Sequence, residues 1–472
     1  VLDFCRNRGN AWQGNENRLS QDNPMKLPFF PAEPDSFSRA GRSPVMDRRQ
    51  LPRLLGQYRR FTRSLSLVLE CCTRCGSCSR ACHSYLGTED PDNSPVARID
   101  LFAQAPSPRG GLGRLFPRFG TTAKDEDLLQ QWLNRFYQCN LCRRCALACP
   151  LGLDPSEVVI AGRNLLFEMG LAPRFLMEIA GNLHSCGNNM GITPRALGDI
   201  CAFLEEELRE ETGRSIPVPV DRSGADLIYI PSSTEFFSNV DTLLGAAKLF
   251  FFLGIDWTLS STVLEAANYG LFLHRDLLKE HHARLGQAAR ELDIPVLVQG
   301  ECGHGWRAST MFRQDTAGPQ PFDLLHILEV WDAHLKKLPL VRRPWRATLN
   351  DSCNYARSCG LTEPPRRLLR ACVEDFVELT PNREANFCCG GGGGLLMEEM
   401  QELRMRLGKQ KAEQIRAVLP LDYLCSPCAS CKIQLPLLLR NHGLGDIRVG
   451  GITELLGQCL TLPPEGTSGS AE

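Results

Sequence analysis

The sequence has no run of about 18 apolar residues, the length a membrane-crossing helix needs. Its most apolar stretch, around Leu249–Leu253, is short and interrupted by Lys248 and Asp256. Charge of one sign is also lacking: 53 Lys and Arg stand against 54 Asp and Glu, so nothing pulls the chain as a whole towards nucleic acid. No amino-terminal stretch reads as a signal peptide. No GxGxxG fingerprint follows a strand, which speaks against direct NAD or flavin binding. With 472 residues the chain is too long for a small secreted disulfide scaffold. An apolar share of 43% and a charged share of 23% are ordinary for globular domains, of which this length suggests about three.

Cysteine is the exception, with 22 in the chain. Cysteines this clustered, without an export signal, point to thiolate metal ligands. The first cluster is Cys72-x2-Cys75-x2-Cys78-x3-Cys82, and the second is Cys139-x2-Cys142-x2-Cys145-x3-Cys149-Pro150. Three cysteines at three-residue intervals wrap one face of an iron–sulfur cube, and in two-cluster ferredoxins the fourth serves the other cube. This crossed reading assigns Cys72, Cys75, Cys78 and Cys149 to one 4Fe–4S cluster. It assigns Cys139, Cys142, Cys145 and Cys82 to the second. Zinc is the plainer alternative, but zinc sites need only paired CxxC units. His83 stands where a proline usually follows the fourth cysteine. Cys71 reads as a spare buried thiol.

Around these motifs, residues 1–50 are rich in Asn, Gln, Pro, Ser and Arg and read as a disordered or arm-like segment. The chain opens on Val1, so starts at Met25 or Met46 stay open. Residues 51–212 read as one helical unit carrying both motifs, with a helix over 51–70, a linker over 86–125, a helix Glu126–Tyr137 and mostly helix over 155–212. From about 225 strands and helices alternate, as in an α/β domain. Asp226–Ile230 and Pro295–Val298 read as strands and Val240–Leu253 as a helix. The scheme then repeats, with strand Ala347–Leu349 ending at Cys353, helix Pro364–Glu378 and a cysteine and glycine turn Asn386–Gly394. A helix face of Leu396, Met400, Leu403 and Leu407 and a strand Leu421–Leu424 complete it. The echo suggests a duplication, degenerate over 225–340 and complete over 341–462, with 463–472 as a tail.

A third constellation lies in the complete copy: Cys353 at a strand end, Cys388–Cys389 before the run Gly390–Gly394, and Cys428-x2-Cys431 after another strand. Thirty-four residues separate Cys353 from Cys388, and 38 separate Cys389 from Cys428. This pattern resembles the CCG domain of the heterodisulfide reductase family, which includes subunits of glycolate oxidase, lactate-utilisation and anaerobic glycerol-3-phosphate dehydrogenase complexes. The resemblance implies that Cys353, Cys388, Cys389, Cys428 and Cys431 bind a noncubane 4Fe–4S cluster that attacks disulfides. Cys425-x2-Cys428 is an alternative register for the last pair. The 56 residues between Cys82 and Cys139 resemble the α-helical ferredoxin of respiratory iron–sulfur subunits. The implied fold is therefore an α-helical ferredoxin domain with two 4Fe–4S motifs, followed by a pseudo-duplicated α/β CCG domain.

In the first copy Ser232–Ser233 stands where the second has Cys353, and Glu301–Cys302–Gly303–His304 is matched to Cys388–Cys389–Gly390. One complete copy, with the segment from Gly300 to Arg307, is most similar to the DsrK-like branch, the subunit of the sulfite-reduction-associated membrane complex. That resemblance implies an electron-transfer enzyme subunit acting on a disulfide or trisulfide. It also implies a small sulfur-carrier protein with C-terminal cysteines as substrate and a membrane cytochrome b handling quinone as partner. Other subunits of a respiratory complex would hold it on the inner face of the cytoplasmic membrane. An electron-relay subunit of a flavin-dependent glycolate, lactate or glycerol-3-phosphate dehydrogenase complex is the second reading, and a zinc-bearing assembly module the third. Glu301, Cys302 and His304 are expected to face the third cluster, His304 as a proton donor and Cys302 as a ligand or transient disulfide partner. Cys186 sits in a turn that could touch a cluster. Cys201, Cys359, Cys372 and Cys459 read as buried apolar thiols, and Arg48–Arg63 as a solvated helix face or docking surface.

Overall fold

The computed structural model describes residues 63–103, 131–169, 171–265 and 268–462. The arm over 1–50, most of Arg48–Arg63, the greater part of the 86–125 linker and the tail lie outside the described residues. The first unit is helical. The helix Arg63–Cys71 turns Leu65 and Val68 inward, and the helices Ser156–Glu168 and Arg174–Cys186 complete a core with Phe102, Trp132 and Phe136. The rings of Phe102 and Trp132 stack at 5.9 Å, and Trp132 meets Phe136 edge-on at 5.2 Å. Part of the expected linker is a helix instead, Pro95–Ala103, which buries Ile99, Leu101 and Phe102. Pro95 sits at the first helical position, where a missing N–H costs nothing, and Ser94 Oγ accepts from Ala97 N. The proline starts a helix here instead of breaking one.

The rest of the chain forms two four-stranded parallel sheets of the same topology. In the first, β1 (Leu227–Ile230), β2 (Trp257–Thr258), β3 (Val296–Gln299) and β4 (Asp323–His326) stand in the order β2-β1-β3-β4. In the second, β5 (Arg343–Leu349), β6 (Val373–Val377), β7 (Tyr423–Cys425) and β8 (Arg448–Gly450) stand as β6-β5-β7-β8. The central strands β1 and β7 are fully buried apolar runs, as sheets covered on both faces require. A helix of each half packs against one of the other. Val240–Leu253 crosses Ile452–Cys459 where a side chain on Gly245 would come within 2.5 Å of Thr453 O, and one on Gly457 within 2.6 Å of Gly245. Trp331 Nε1 donates to Thr453 Oγ1 at 3.1 Å. One apolar core runs through both sheets.

The structure departs from three of the expectations above. The helix expected over Pro364–Glu378 ends at Cys372, and Val373–Val377 pairs with β5, Phe376 opposite Ala347. Sheet pairing outweighs a helical pattern that has no stop signal. The helix Pro194–Thr212, grouped with the ferredoxin unit, sends Leu197, Cys201, Leu204 and Leu208 into the α/β core. The repeat register also shifts. Cys302 caps the helix after β3 as Cys428 caps the helix after β7, so Cys302 corresponds to Cys428 and not to the Cys388–Cys389 pair. The counterpart of the CCG turn is the segment between β2 and the helix Arg275–Glu291.

Candidate functional site

The two ferredoxin motifs fold alike. In each, the residue two after the first cysteine (Arg74, Leu141) and the residue after the second (Gly76, Arg143) have positive φ. Three of these are not glycine, and such strained turns persist where the surroundings hold them. They curl each loop around a cavity. One cavity is lined by Cys72, Cys75, Cys78 and Cys149. The other is lined by Cys82, Cys139, Cys142 and Cys145. Each fourth cysteine thus lies with the three of the other motif. Cys71 is exposed rather than buried, and Cys75 is exposed too, so the first cavity lies at the surface.

The third group gathers at the carboxyl ends of β5 and β7, where the order of the sheet reverses and ligands of α/β sheets sit. Cys353 opens a wide helical turn, Cys353–Arg357, after β5. Cys428 and Cys431 stand at the start of the helix Ala429–Asn441, and Cys388–Cys389 reach in from the turn after β6. All five are buried. Cys353 Sγ lies 4.0 Å from Cys388 Sγ, and Cys389 Sγ lies 3.2 Å from Cys431 Sγ. Hydrogen bonds from Cys388 and Cys431 hold Cys389 below the ordinary thiol range, and one from Cys431 holds Cys428 at about 7. Cys425 ends β7 instead, beside Glu301 and Glu454, where burial pushes its thiol up.

The glycine run answers to the ferredoxin unit. A side chain on Gly393 would lie 2.7 Å from Cys139 O, and one on Gly392 would lie 2.8 Å from Asn140 O. Gly390, at φ +91°, would drive a Cβ to 2.5 Å from Arg404 O. The second motif and the CCG turn therefore touch. Asn140 Nδ2 donates to Cys388 Sγ at 3.4 Å, and a hydrogen bond from Cys388 pulls Cys142 down to about 6. His83 explains the lost proline, since its Nε2 accepts from Cys388 N at 3.1 Å. Burial holds His83 at about 3, so the ring stays a neutral acceptor. Arginines stitch the seam: buried Arg163 donates to Gly393 O and Cys139 O, buried Arg307 to Leu141 O, and half-buried Arg357 to Cys142 O. Nothing in the spacing of the motifs announced His83 or Asn140; their neighbours along the chain are the only sequence signal.

Comparison with known proteins matches the same segments. Residues 68–153 match a 4Fe–4S dicluster domain, and residues 347–436 match the CCG cysteine-rich domain. The Hdr-like menaquinol oxidoreductase iron-sulfur subunit 2 of Archaeoglobus fulgidus is 30% identical, over 86% of this chain and 82% of its own length. The chain belongs to this Hdr-like iron–sulfur subunit family. The corresponding subunit of Archaeoglobus profundus is 29% identical over 94% of this chain and 88% of its own. A dihydromethanophenazine:CoB–CoM heterodisulfide reductase subunit of Methanosarcina acetivorans is 24% identical over 86% of this chain and 98% of its own.

In this Hdr-like subunit the donor sets suit iron–sulfur clusters: four, four and five sulfurs converge at sites that the neighbouring loops close. Of the residues expected to face the third site, Cys302 lies near Cys428 and His304 near Cys389, while the carboxylate of Glu301 is engaged elsewhere. Glu301 accepts from Ile452 N and Thr453 N and pairs with Lys432 at 3.4 Å. Cys302 Sγ accepts from Gly305 N, and burial pushes its thiol up to about 12. His304 accepts from Gly393 N at 3.2 Å through Nε2 and lies 3.3 Å from Ser430 Oγ through Nδ1. Burial holds it at about 4. Cys186 ends its helix beside Ser185, Asn188 Nδ2 donates to Cys186 O and Ile192 O within the turn that follows, and Asn189 bonds Glu265 and Ser233. Cys201, Cys372 and Cys459 are buried, while Cys359 is only partly so.

Proposed function

We propose that Cys72, Cys75, Cys78 and Cys149 hold one cubane 4Fe–4S cluster and that Cys139, Cys142, Cys145 and Cys82 hold a second. Cys353, Cys388, Cys389, Cys428 and Cys431 hold a noncubane 4Fe–4S cluster. The chain is then an electron-transfer subunit working between a menaquinol-reactive, cytochrome b-type membrane partner and a protein disulfide or trisulfide, such as a sulfur-carrier protein. The observation that carries this reading is the contact of Cys142 with Cys388, which joins the ferredoxin unit to the CCG site. Exposed Cys75 marks the outer end of the path and buried Cys388 the inner end.

When bound, a noncubane cluster would supply one-electron storage for the reduction of a sulfur substrate. The chain's own residues do the rest. Cys353 and Cys388 present the sulfurs nearest the second motif, Asn140 and His83 fix Cys388, and burial keeps water from all five sulfurs. His304 and Cys302 flank this group; His304 holds the Gly392–Gly393 turn, and Cys302 caps its helix. Among the described residues no helix is long and apolar enough to cross a membrane, which fits attachment to the inner membrane face through partner subunits.

Anaerobically purified protein is expected to carry about twelve iron atoms, four for each of three clusters. Its dithionite-reduced form is expected to be reoxidised by a protein disulfide or trisulfide. Stoichiometric zinc with little iron would overturn the cluster assignment, and full iron without reoxidation by any such sulfur compound would overturn the sulfur-substrate reading alone.

A further inference from the structure

The helix Gln401–Arg416 lies along the CCG turn and brings two buried cations to it. Its residues Arg404, Gly408 and Lys411 share one face at helical spacing. A side chain on Gly408 would lie 2.7 Å from Cys389 O, so the turn rests on the helix at that point. Arg404 and Lys411 flank the contact, one turn to either side. Lys411 is fully buried, and its ammonium donates to Gln414 Oε1 at 2.7 Å. Arg404 donates to Gln434 Oε1, and its Nε has no hydrogen-bond partner. Neither cation has a carboxylate at ion-pair distance among the described residues. The nearest candidate, Asp351, is engaged by both terminal nitrogens of Arg366, at 2.9 and 2.7 Å. A buried charge without an ion-pair partner is costly; Lys411 faces Asp351 first and then the sulfurs of Cys389, Cys431 and Cys388, while Arg404 faces Cys389.

The first half supplies the control. Its helix Arg275–Glu291 runs, like Gln401–Arg416, from the second strand to the third, and Arg284-Leu285-Gly286 matches Arg406-Leu407-Gly408. In that alignment Arg404 corresponds to His282 and Lys411 to Ala289. Both counterparts are buried. His282 is held neutral by burial and contacts Thr316 Oγ1 at 2.6 Å. Where the cysteine set is missing, the cations are missing as well.

We propose that Arg404 and Lys411 are fixed counter-charges of the Cys388–Cys389 site, set there to raise the reduction potential of the cluster it holds. The proposal rests on the cluster reading above. Reduction adds one negative charge at the site, and a fixed cation in a poorly screened interior favours the more negative state. The helix therefore tunes the third cluster while leaving the two ferredoxin clusters, bound by other loops, nearly untouched.

The test uses the full chain purified anaerobically, with iron analysis and a redox titration followed by electron paramagnetic resonance. Lys411→Met and Arg404→Met are each expected to keep the iron and to weaken one-electron reduction of the third cluster about tenfold or more, some 59 mV. Lys411→Arg restores the wild-type midpoint. Fully loaded methionine variants with unmoved potentials would overturn the counter-charge role. If both methionine variants lose the third cluster and Lys411→Arg keeps it, the site needs the charge even to assemble. If Lys411→Arg loses it too, shape and not charge is what the helix provides, and the proposal falls. Wild-type protein with about eight iron atoms would sink the three-cluster reading itself.

Discussion

The two α/β halves share a strand order and a glycine at the matching place in the helix between their second and third strands, yet only one carries a cysteine set. After β1 the first half has Ser232–Ser233 where the second has Cys353 after β5. After β3 it has Cys302 and Gly305 where the second has Cys428 and Cys431. In place of sulfur the first half builds a polar plug: Glu265 accepts from Asn189 N, Asn189 Nδ2 donates to Ser233 Oγ, and Glu235 accepts from Tyr229. The scaffold therefore stands without the ligands, and the chemistry belongs to side chains placed on it.

The sharpest way to break this contrast is to remove one cysteine from each half. Cys388→Ala is expected to lower iron from about twelve to about eight atoms per chain and to abolish turnover of sulfur substrate, while the ferredoxin signals persist. Cys302→Ser, at the place of Cys428 in the half that lacks the rest of the cysteine set, is expected to leave iron content unchanged. Loss of iron from Cys302→Ser would show the two halves to share a cluster.

Much of this is open to reading in the sequence. Cysteine spacing is a local code, so both ferredoxin loops and the CCG pattern stand out from single segments. The structure brings together the same groups of four that the crossed reading assembles. Parallel strands bounded by turn residues are visible for a similar reason. What stays hidden depends on contacts between distant segments. The glycine run suggests room for a cluster, but Gly392 and Gly393 make room for Cys139 and Asn140. The match of Glu301–His304 to the CCG turn fails because a shared Cys-Gly pair outweighs strand order, which only the sheet reveals. Nothing local marks Arg404 and Lys411 as buried, and only packing shows their face of the helix turned inward.

A second contrast concerns protons. Burial pushes Glu265 up to about 8, although Ser233 and Asn189 N pull the other way. An unfolded glutamate titrates near ~4.3. Between those values the folded chain holds a proton that the unfolded chain has released, so stability falls as pH rises through the window and levels off above about 8. The slope is at most about 1.4 kcal/mol per pH unit. Glu265→Gln keeps an acceptor for Asn189 N and removes the titration. Its thermal midpoint is expected to exceed that of the wild type near the upper end of that window and to converge with it at the lower end. Parallel curves for the two proteins would place the charged form of Glu265 in the folded state.

The smallest effect comes from the matching glycines. Gly408 and Gly286 both lie inside helices, where alanine is intrinsically favoured by roughly 1 kcal/mol. At Gly286 the new methyl would meet Gln320 Oε1, the far end of a side chain that can swing away. At Gly408 it would meet Cys389 O at 2.7 Å and the Leu438 methyls at 2.7 and 2.8 Å, a backbone and a packed core that cannot. Overpacking of that kind costs about 1–3 kcal/mol. Gly286→Ala is therefore expected to leave the thermal midpoint unchanged or slightly higher. Gly408→Ala is expected to lower it and, because the displaced atom belongs to Cys389, to loosen iron at the third site before the ferredoxin sites respond. Iron release timed against a chelator separates these outcomes. Equal loss from all three sites would mean that the helix Gln401–Arg416 supports the whole chain rather than the CCG turn that rests on it.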